Sequence, residues 1–357
     1  MTAASDIVGI GMIGAGFIAD YHLDGLKAAG GAAVRAIAGR GGASGARTAA
    51  RHGIADVVDD WRRLLERRDI EALIVATPDE THCEIACAAA AAGKAVLLQK
   101  PMARSSQECR RIVDAFRASG TLLQVSFMHR YFEEVVQARA LLAEGRTGKV
   151  LSARIRNATP GPDWGDWFFS RQKVGGGVVL QLGVHGIDLV RHVLGDIIRL
   201  CATTALRKTE RRLADGRIVH PDNEDHALAA YTFAAGPVVS HEMCYSEVAG
   251  TDRFSLEIYC EQATLHLRGP RGALAVYAPQ ITGTKGWVMP PLPDAPFGAR
   301  HHGGFLDMVR GKAPPDDTPL DGLATLLVAE AIYRSAASGS ALAVPPPADA
   351  LAGQVAS

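Results

Sequence analysis

The sequence predicts an α/β chain: an N-terminal doubly wound parallel sheet, then a C-terminal α+β domain with a large, mostly antiparallel sheet. Three observations predict it. Apolar strand-like runs alternate with helical periodicity over residues 1–127, and a glycine turn joins the first strand to the first helix. From Val150 to Tyr277 strand-like segments follow one another with few helices between them. At 357 residues the chain suits two domains of roughly 150 residues. The change of pattern sets them at 1–127 and 128–357.

The elements follow in order. Ile7 to Ile13 reads as a strand, and Gly14-Ala15-Gly16-Phe17-Ile18-Ala19 turns into a helix through Leu23 and Leu26. Such a turn grips a dinucleotide when small residues stand at three places, for the turn itself, for backbone approach to a pyrophosphate, and for close helix–strand packing. Gly14, Gly16 and Ala19 fill them, and the helix start presents N–H groups and a dipole to phosphate, which makes the first domain Rossmann-like. A rival register, Gly9, Gly11 and Gly14, would run the apolar strand into the loop. Val34–Ala38 is the second strand, Ala43–His52 a helix, the stretch at Val57 a short strand, and Trp61–Arg67 a helix. Ala72–Ala76 is a continuous apolar run, as a buried parallel strand requires. Thr77-Pro78-Asp79 then starts a helix ending at Gly93. Ala95–Leu98 is a strand, residues 105–118 a helix opened by Ser105 and Glu108, and Leu122–Val125 a strand. Beyond, helices are expected at Glu134–Glu144 and Val184–Leu194, and strands at Ala227–Phe233, Val238–Tyr245 and Phe254–Tyr259. A Gly/Pro-rich arm spans Lys285–Gly298, two helices cover His302–Arg310 and Leu320–Ala337, and a tail begins at Val344.

Composition narrows the partners. The chain is 48% hydrophobic and 21% charged, with 38 basic against 38 acidic residues. It therefore carries no net-charge footprint for nucleic acid or an anionic membrane, and the expected partner is a small molecule. The most apolar candidate span, Ile85 to Leu98, is interrupted by Gly93 and Lys94 and falls short of the roughly 20 residues a membrane helix needs. No signal peptide is legible, so a cytoplasmic enzyme is expected. Cys83 and Cys87 share a face of an alanine-rich helix, which we expect to lie buried against the sheet rather than to bind metal. An antiparallel sheet with an open face invites cover by another copy, so a homodimer or homotetramer is expected.

Through most of its length the chain resembles the glucose-fructose oxidoreductase, inositol dehydrogenase and MocA-type oxidoreductases. The resemblance rests on Gly14 to Ala19, on Thr77-Pro78 with His82, on Lys100-Pro101, and on Gly175-Gly176-Gly177 leading to Gly183, His185 and Asp188. It implies a nicotinamide-dependent oxidoreductase whose cofactor is held by Gly14, Gly16, Phe17, Ile18, Ala19, Arg40, Thr77, Pro78, His82, Gln99 and Lys100. It also implies that the second domain binds substrate. Two positions depart from the family pattern: Gln99 replaces the glutamate of its Glu-Lys-Pro signature, and Gln181 replaces an acid four residues before the histidine. Glutamine cannot take a proton, so proton removal falls to Lys100, partly desolvated at a strand's carboxyl end, or to His185, with Gln181 positioning the substrate. A metal reading through His185, Asp188 and His192 is set aside, since hydride transfer to nicotinamide needs none. The segment Asp163-Trp164-Gly165-Asp166-Trp167 either lines a sugar-sized pocket or anchors its loop.

An NAD enzyme of this fold usually places an acid at the end of the second strand. Here Gly39 and Arg40 stand there, with Ser44 and Arg47 nearby. We expect NADP over NAD, because a guanidinium pairs with a 2′-phosphate where no carboxylate repels it. The expected reaction moves a hydride between nicotinamide and a carbinol carbon of a sugar, polyol or cyclic diol. The rivals are a cis-dihydrodiol dehydrogenase, a reaction with tightly held cofactor and no net redox change, and a catalytically silent sensor or assembly subunit.

Overall fold

The computed structural model describes residues 7–39, 43–250 and 254–352. Contacts divide it into two compact units, and the first is not continuous in sequence. It comprises residues 1–103, 107–131 and 294–323, and the second holds 104–106, 132–293 and 324–357. The return of 294–323 to the first unit is the part a single boundary at 127/128 does not capture.

In the first unit six parallel strands, β1 (Val8–Ile13), β2 (Ala32–Ala38), β3 (Asp56–Val58), β4 (Ala72–Val75), β5 (Ala95–Gln99) and β6 (Leu123–Ser126), lie in the order β3-β2-β1-β4-β5-β6. The order reverses between β1 and β4, which puts the carboxyl ends of those strands at the switch point where ligands of such sheets bind. β1 and β4 are buried throughout, so their sequences are apolar without alternation. Helices α1 (Phe17–Ala29), α2 (Ala43–His52), α3 (Arg62–Leu65), α4 (His82–Ala91) and α5 (Ser106–Ser119) connect them. The expected helix at Trp61–Arg67 is a single turn. The one expected from Pro78 opens as a 3-10 turn, Asp79–Thr81, before α4. The Cys83 and Cys87 thiols reach the carbonyls of Glu108 and Arg111 on α5, so their face packs on a neighbouring helix, while α4 itself also contacts the sheet.

The second unit begins with α6 (Glu133–Ala143) and is built on β7 (Val150–Ala158), β8 (Ile197–Ala205), β11 (His226–Phe233), β12 (Val238–Cys244), β13 (Ser255–Cys260), β14 (Thr264–Gly269), β15 (Gly272–Tyr277) and β16 (Leu342–Ala343). They run in the order β15-β14-β13-β7-β12-β11-β8-β16. β9 (Arg211–Arg212) and β10 (Ile218–Val219) form a separate ribbon. Every pair in the large sheet is antiparallel except β7 with β12. Register sorts side chains cleanly onto two faces. One row across the strands, Ala202, Ala229, His241, Ile155, Leu256 and Leu267, is buried. The next, Cys201, Ala230, Ser240, Arg154, Glu257 and His266, lies on the other face.

Helices α7 (Arg171–Val174) and α8 (Val184–Leu194) belong to this unit, and α8 lies on the buried face. The stretch 171–194 is long and apolar enough by composition to cross a membrane, a feature the sequence reading did not single out, and it is mostly buried within the protein. The remaining helices are α9 (Pro279–Thr282), α10 (Ala299–Val309), α11 (Thr318–Ser338) and α12 (Pro347–Ala352). α10 packs on α1, with Phe305 and Leu306 joining Leu23 and Leu26 in one core cluster.

Candidate active site

In the first unit the site is built on the ends of four adjacent strands, β2, β1, β4 and β5. Gly9 and Gly11 lie inside β1, where an added Cβ would meet Asp69 O at 1.9 Å and a Leu73 methyl at 2.8 Å, so they are packing glycines and the rival register falls. Gly14 makes the turn at φ +104°, with Ala76 O only 2.3 Å from where a Cβ would stand. Gly16 has open space instead, and it begins α1 with no side-chain cap hydrogen bond. Ala19 is fully buried, Ile18 packs on the core, and Phe17 stands exposed at the helix start. An uncapped helix start beside open space fits a pyrophosphate.

At the end of β4 the Thr81 hydroxyl ties Thr77 Oγ1 (2.7 Å) to Pro78 O (2.8 Å). His82 is fully buried, with Nδ1 2.9 Å from Pro101 O and Nε2 3.0 Å from Thr77 O. Expected among the cofactor contacts, it braces the turn after β4 against the turn after β5. Lys100 follows β5. Desolvation of its amino group lowers its pKa below the ordinary lysine value, and the nearby Asp79 carboxylate pulls it partly back. Gln99 turns inward: its Oε1 accepts the Lys100 N–H at 2.7 Å and its amide nitrogen faces His22. Gly39 is buried at the end of β2, where a Cβ would press on the Gly45 backbone of α2 at 3.0 Å. Arg40, expected to select the cofactor, lies outside the described residues.

In the second unit each glycine of Gly175-Gly176-Gly177 has a steric reason. Gly175 has φ +78°, a Cβ on Gly176 would stand 2.0 Å from the Tyr333 hydroxyl, and one on Gly177 1.8 Å from Glu224 O. The chain then enters a π-helical turn, Val179–Gly183, which runs into α8. Gln181 sits in that wider turn rather than in regular α-helix, and His185 in the first turn of α8; both are buried, as is Asp188. Gly186 lets α8 settle on the sheet, since its Cβ would meet Asn157 Oδ1 at 2.1 Å and His241 Nε2 at 2.6 Å.

Three consecutive buried residues that the sequence reading missed hold this segment. Asn223 Nδ2 donates to Phe168 O (2.9 Å) and Gly176 O (3.1 Å), fastening the aromatic loop to the glycines. Within that loop Trp167 stacks on Phe168, while Trp164 is exposed. Glu224 Oε1 accepts from Gly177 N (2.9 Å), Val179 N (3.1 Å) and the Tyr333 hydroxyl (2.8 Å), a carboxylate placed where the helix dipole favours one. Burial raises its pKa against those donors. Asp225 Oδ1 accepts from Arg207 N, while its Oδ2 accepts from Lys208 N, Ser246 Oγ and Arg211. Burial works against its ionisation, but His226 and these donors hold its pKa at about 2. The legible signal was three polar residues directly before the alternating strand Ala227–Phe233.

Residues 8–127 match the model of an oxidoreductase family with an NAD-binding Rossmann fold, and residues 135–266 match the GFO/IDH/MocA C-terminal domain. Inositol 2-dehydrogenase 2 of Saccharopolyspora erythraea is 32% identical over 345 residues, 93% of this chain and 94% of that protein. Levoglucosan dehydrogenase of Pseudarthrobacter phenanthrenivorans is 30% identical over 240 residues, spanning 62% of this chain and 61% of that protein. Among solved structures, a levoglucosan dehydrogenase in complex with NADH and levoglucosan superposes with a TM-score of 0.84 at 25% identity, covering 95% of this chain and all of that one.

Proposed function

Given that the chain belongs to the GFO/IDH/MocA oxidoreductases and has their NAD-binding domain, we propose that it moves a hydride between nicotinamide and a carbinol carbon of a sugar or polyol. The observation that carries this reading is Lys100: a lysine of lowered pKa at the end of β5, beside the glycine turn's own strand neighbours. The bound nicotinamide supplies the hydride acceptor or donor. Gly14, Gly16 and the start of α1 hold its pyrophosphate, and the turn at Thr77-Pro78 flanks it.

Lys100 Nζ takes the hydroxyl proton as a neutral amine during oxidation and returns it as an ammonium during reduction, a role that suits a lysine whose desolvation lowers its pKa. On this reading Gln181 and His185 of the second unit act on the substrate: the amide fixes a hydroxyl by donating and accepting, and the imidazole is the second group able to take its proton. Because glutamine cannot ionise, no carboxylate at 181 assists the base. The named relatives act on sugars and polyols, which favours this substrate class over a cis-dihydrodiol and an active enzyme over a silent subunit.

We propose NADP(H) as the preferred form. Gly39 leaves no side chain at the end of β2 to repel a 2′-phosphate, and its packing on Gly45 keeps an acid out. The NADH-bound relative is the reason to measure both cofactors. We further propose a homo-oligomer formed through the outer face of the large sheet, with molar mass by light scattering as its check.

The test follows reduced-nicotinamide absorbance with NADP and with NAD across inositols, aldoses and anhydrosugars. Turnover that Lys100→Met lowers by about 10²- to 10⁴-fold supports the reading. Tight cofactor binding without turnover on any of them overturns it.

A further inference from the structure

Inside the first unit, five groups from α1, β5 and α10 make one directed chain of hydrogen bonds. Lys100 N donates to Gln99 Oε1 at 2.7 Å, and Gln99 Nε2 lies 3.2 Å from His22 Nε2. His22 Nδ1 is 2.9 Å from His302 Nε2, and His302 Nδ1 is 2.8 Å from Gly298 O. Both ends are main-chain groups of fixed polarity: an N–H only donates, a C=O only accepts.

The ends therefore assign every proton between them. With Oε1 held by the Lys100 N–H, the Gln99 amide donates to His22, so His22 Nε2 accepts and its proton sits on Nδ1. That proton goes to His302 Nε2, which places the His302 proton on Nδ1, toward Gly298 O. One tautomer satisfies each ring, and both rings are neutral.

The surroundings are built for this. His22 and His302 are fully buried, and Gln99 is 6% exposed. A Cβ on Gly25 would stand 2.2 Å from His302 Nδ1, so the bare backbone of α1 makes room for that ring. Gly298 turns at φ +83° to present its carbonyl. Tyr21 lies edge-on to both imidazoles at 5.2 Å and bonds His301 Nδ1 at 3.0 Å, and Tyr131 stacks on His301 at 4.4 Å. Burial, and for His22 the neighbouring His302, keeps these rings uncharged, with His302 at about 4.

We propose that Gln99, His22 and His302 are positioning residues, a neutral relay that fixes the Lys100 main chain and accepts only an uncharged amide at position 99. A carboxylate there would have to accept from both sides. Reversing both rings to meet it would set the His302 Nδ1 lone pair against Gly298 O. The alternative is a second proton on one ring, which puts a buried charge into the relay.

The proposal rests on Lys100 as the proton-handling group, but its first readout does not. In ¹⁵N-histidine spectra of the wild-type protein, His22 and His302 are expected as neutral Nδ1–H tautomers, with no titration between about pH 5 and 8. Gln99→Glu is expected to bring one of the two into titration in that range. Gln99→Leu is expected to leave neutral rings and lower kcat about tenfold, with KM for the cofactor changed less than about twofold, because the Lys100 N–H loses its acceptor and not the dinucleotide its grip.

An Nε2–H tautomer at His22 in the wild type overturns the relay, as does Gln99→Glu with its carboxyl ionised, by carboxyl ¹³C shift, and both rings still neutral. If Lys100→Met abolishes turnover and Gln99→Leu leaves kcat unchanged, the positioning role fails while the enzyme reading stands. If Lys100→Met itself leaves turnover intact, the reading fails, and the tautomers still report on the relay.

Discussion

The two units hold the side chains proposed to do the chemistry by opposite electrostatics. In the first, Lys100 is anchored through an amide and two neutral imidazoles. In the second, the segment bearing Gln181 and His185 is anchored by a carboxylate on the backbone N–H groups of Gly177 and Val179. The difference follows from what each must hold. The Asp79 carboxylate already pulls the Lys100 pKa up against its desolvation, and a second carboxylate at position 99 would raise it further, away from proton transfer. The start of a helix carries partial positive charge and N–H groups lacking intrahelical partners, so there a carboxylate is the better anchor.

The comparison can be broken at its largest effect first. Lys100→Met is expected to cost about 10²- to 10⁴-fold in kcat/KM while the protein keeps its cofactor affinity within a few-fold. His185→Gln is expected to cost less than Lys100→Met, about 10²-fold, since Lys100 is proposed as the base; an equal or larger loss would move the base to the second unit.

Stability sharpens the contrast. Glu224→Ala strands three donors, two backbone N–H groups and the Tyr333 hydroxyl, and is expected to cost about 3 kcal/mol in denaturant unfolding. A relay substitution such as Gln99→Leu is expected to cost about 1–2 kcal/mol, because fewer and neutral bonds are lost.

Acid should separate the units by pH. His22, His301 and His302 have pKa values lowered by burial, to about 4 for His302, against roughly 6.5 in the unfolded chain. Below about 6.5 the unfolded state binds more protons than the folded one, so stability falls as pH falls, by roughly 1.4 kcal/mol per unit for each such ring, and is unaffected above that value. Asp225, held at about 2, stabilises the second unit in full above its unfolded value of about 3.8 and loses that contribution as pH falls from there through about 2. Among the described residues the second unit has two such histidines, His241 at about 3 and the less deeply buried His266, where the first has three. Hydrogen exchange followed from pH 7 downward should show protection in α1 and α10 failing at a higher pH than in β11 and β12.

How far the chemistry was legible differs along the chain. The glycine turn was readable because strand, turn and helix are contiguous and each glycine has a local reason. The choice between registers was readable for the same cause, and Gly9 and Gly11 do lie in β1. Gln99 and His82 were expected at the cofactor from the sequence, but their contacts with His22 on α1 and with the turns after β4 and β5 were not legible there, since those partners lie far along the chain. Asn223, Glu224 and Asp225 were missed, since their partners at 168, 176–179 and 205–211 lie far along the chain.

By itself the sequence determined the doubly wound first unit, the sheet that follows and, to within about a residue, the carboxyl ends of the strands it named, because these depend on periodicity and backbone sterics within a few residues. Only the tertiary structure decided the parallel pairing of β7 with β12, the return of 294–323 to the first unit, and the direction of every hydrogen bond in the relay. Proton positions on His22 and His302 follow from the Lys100 N–H and Gly298 O at opposite ends of one chain. No local pattern in the sequence carries the joint constraint that two such distant backbone groups impose on the rings between them.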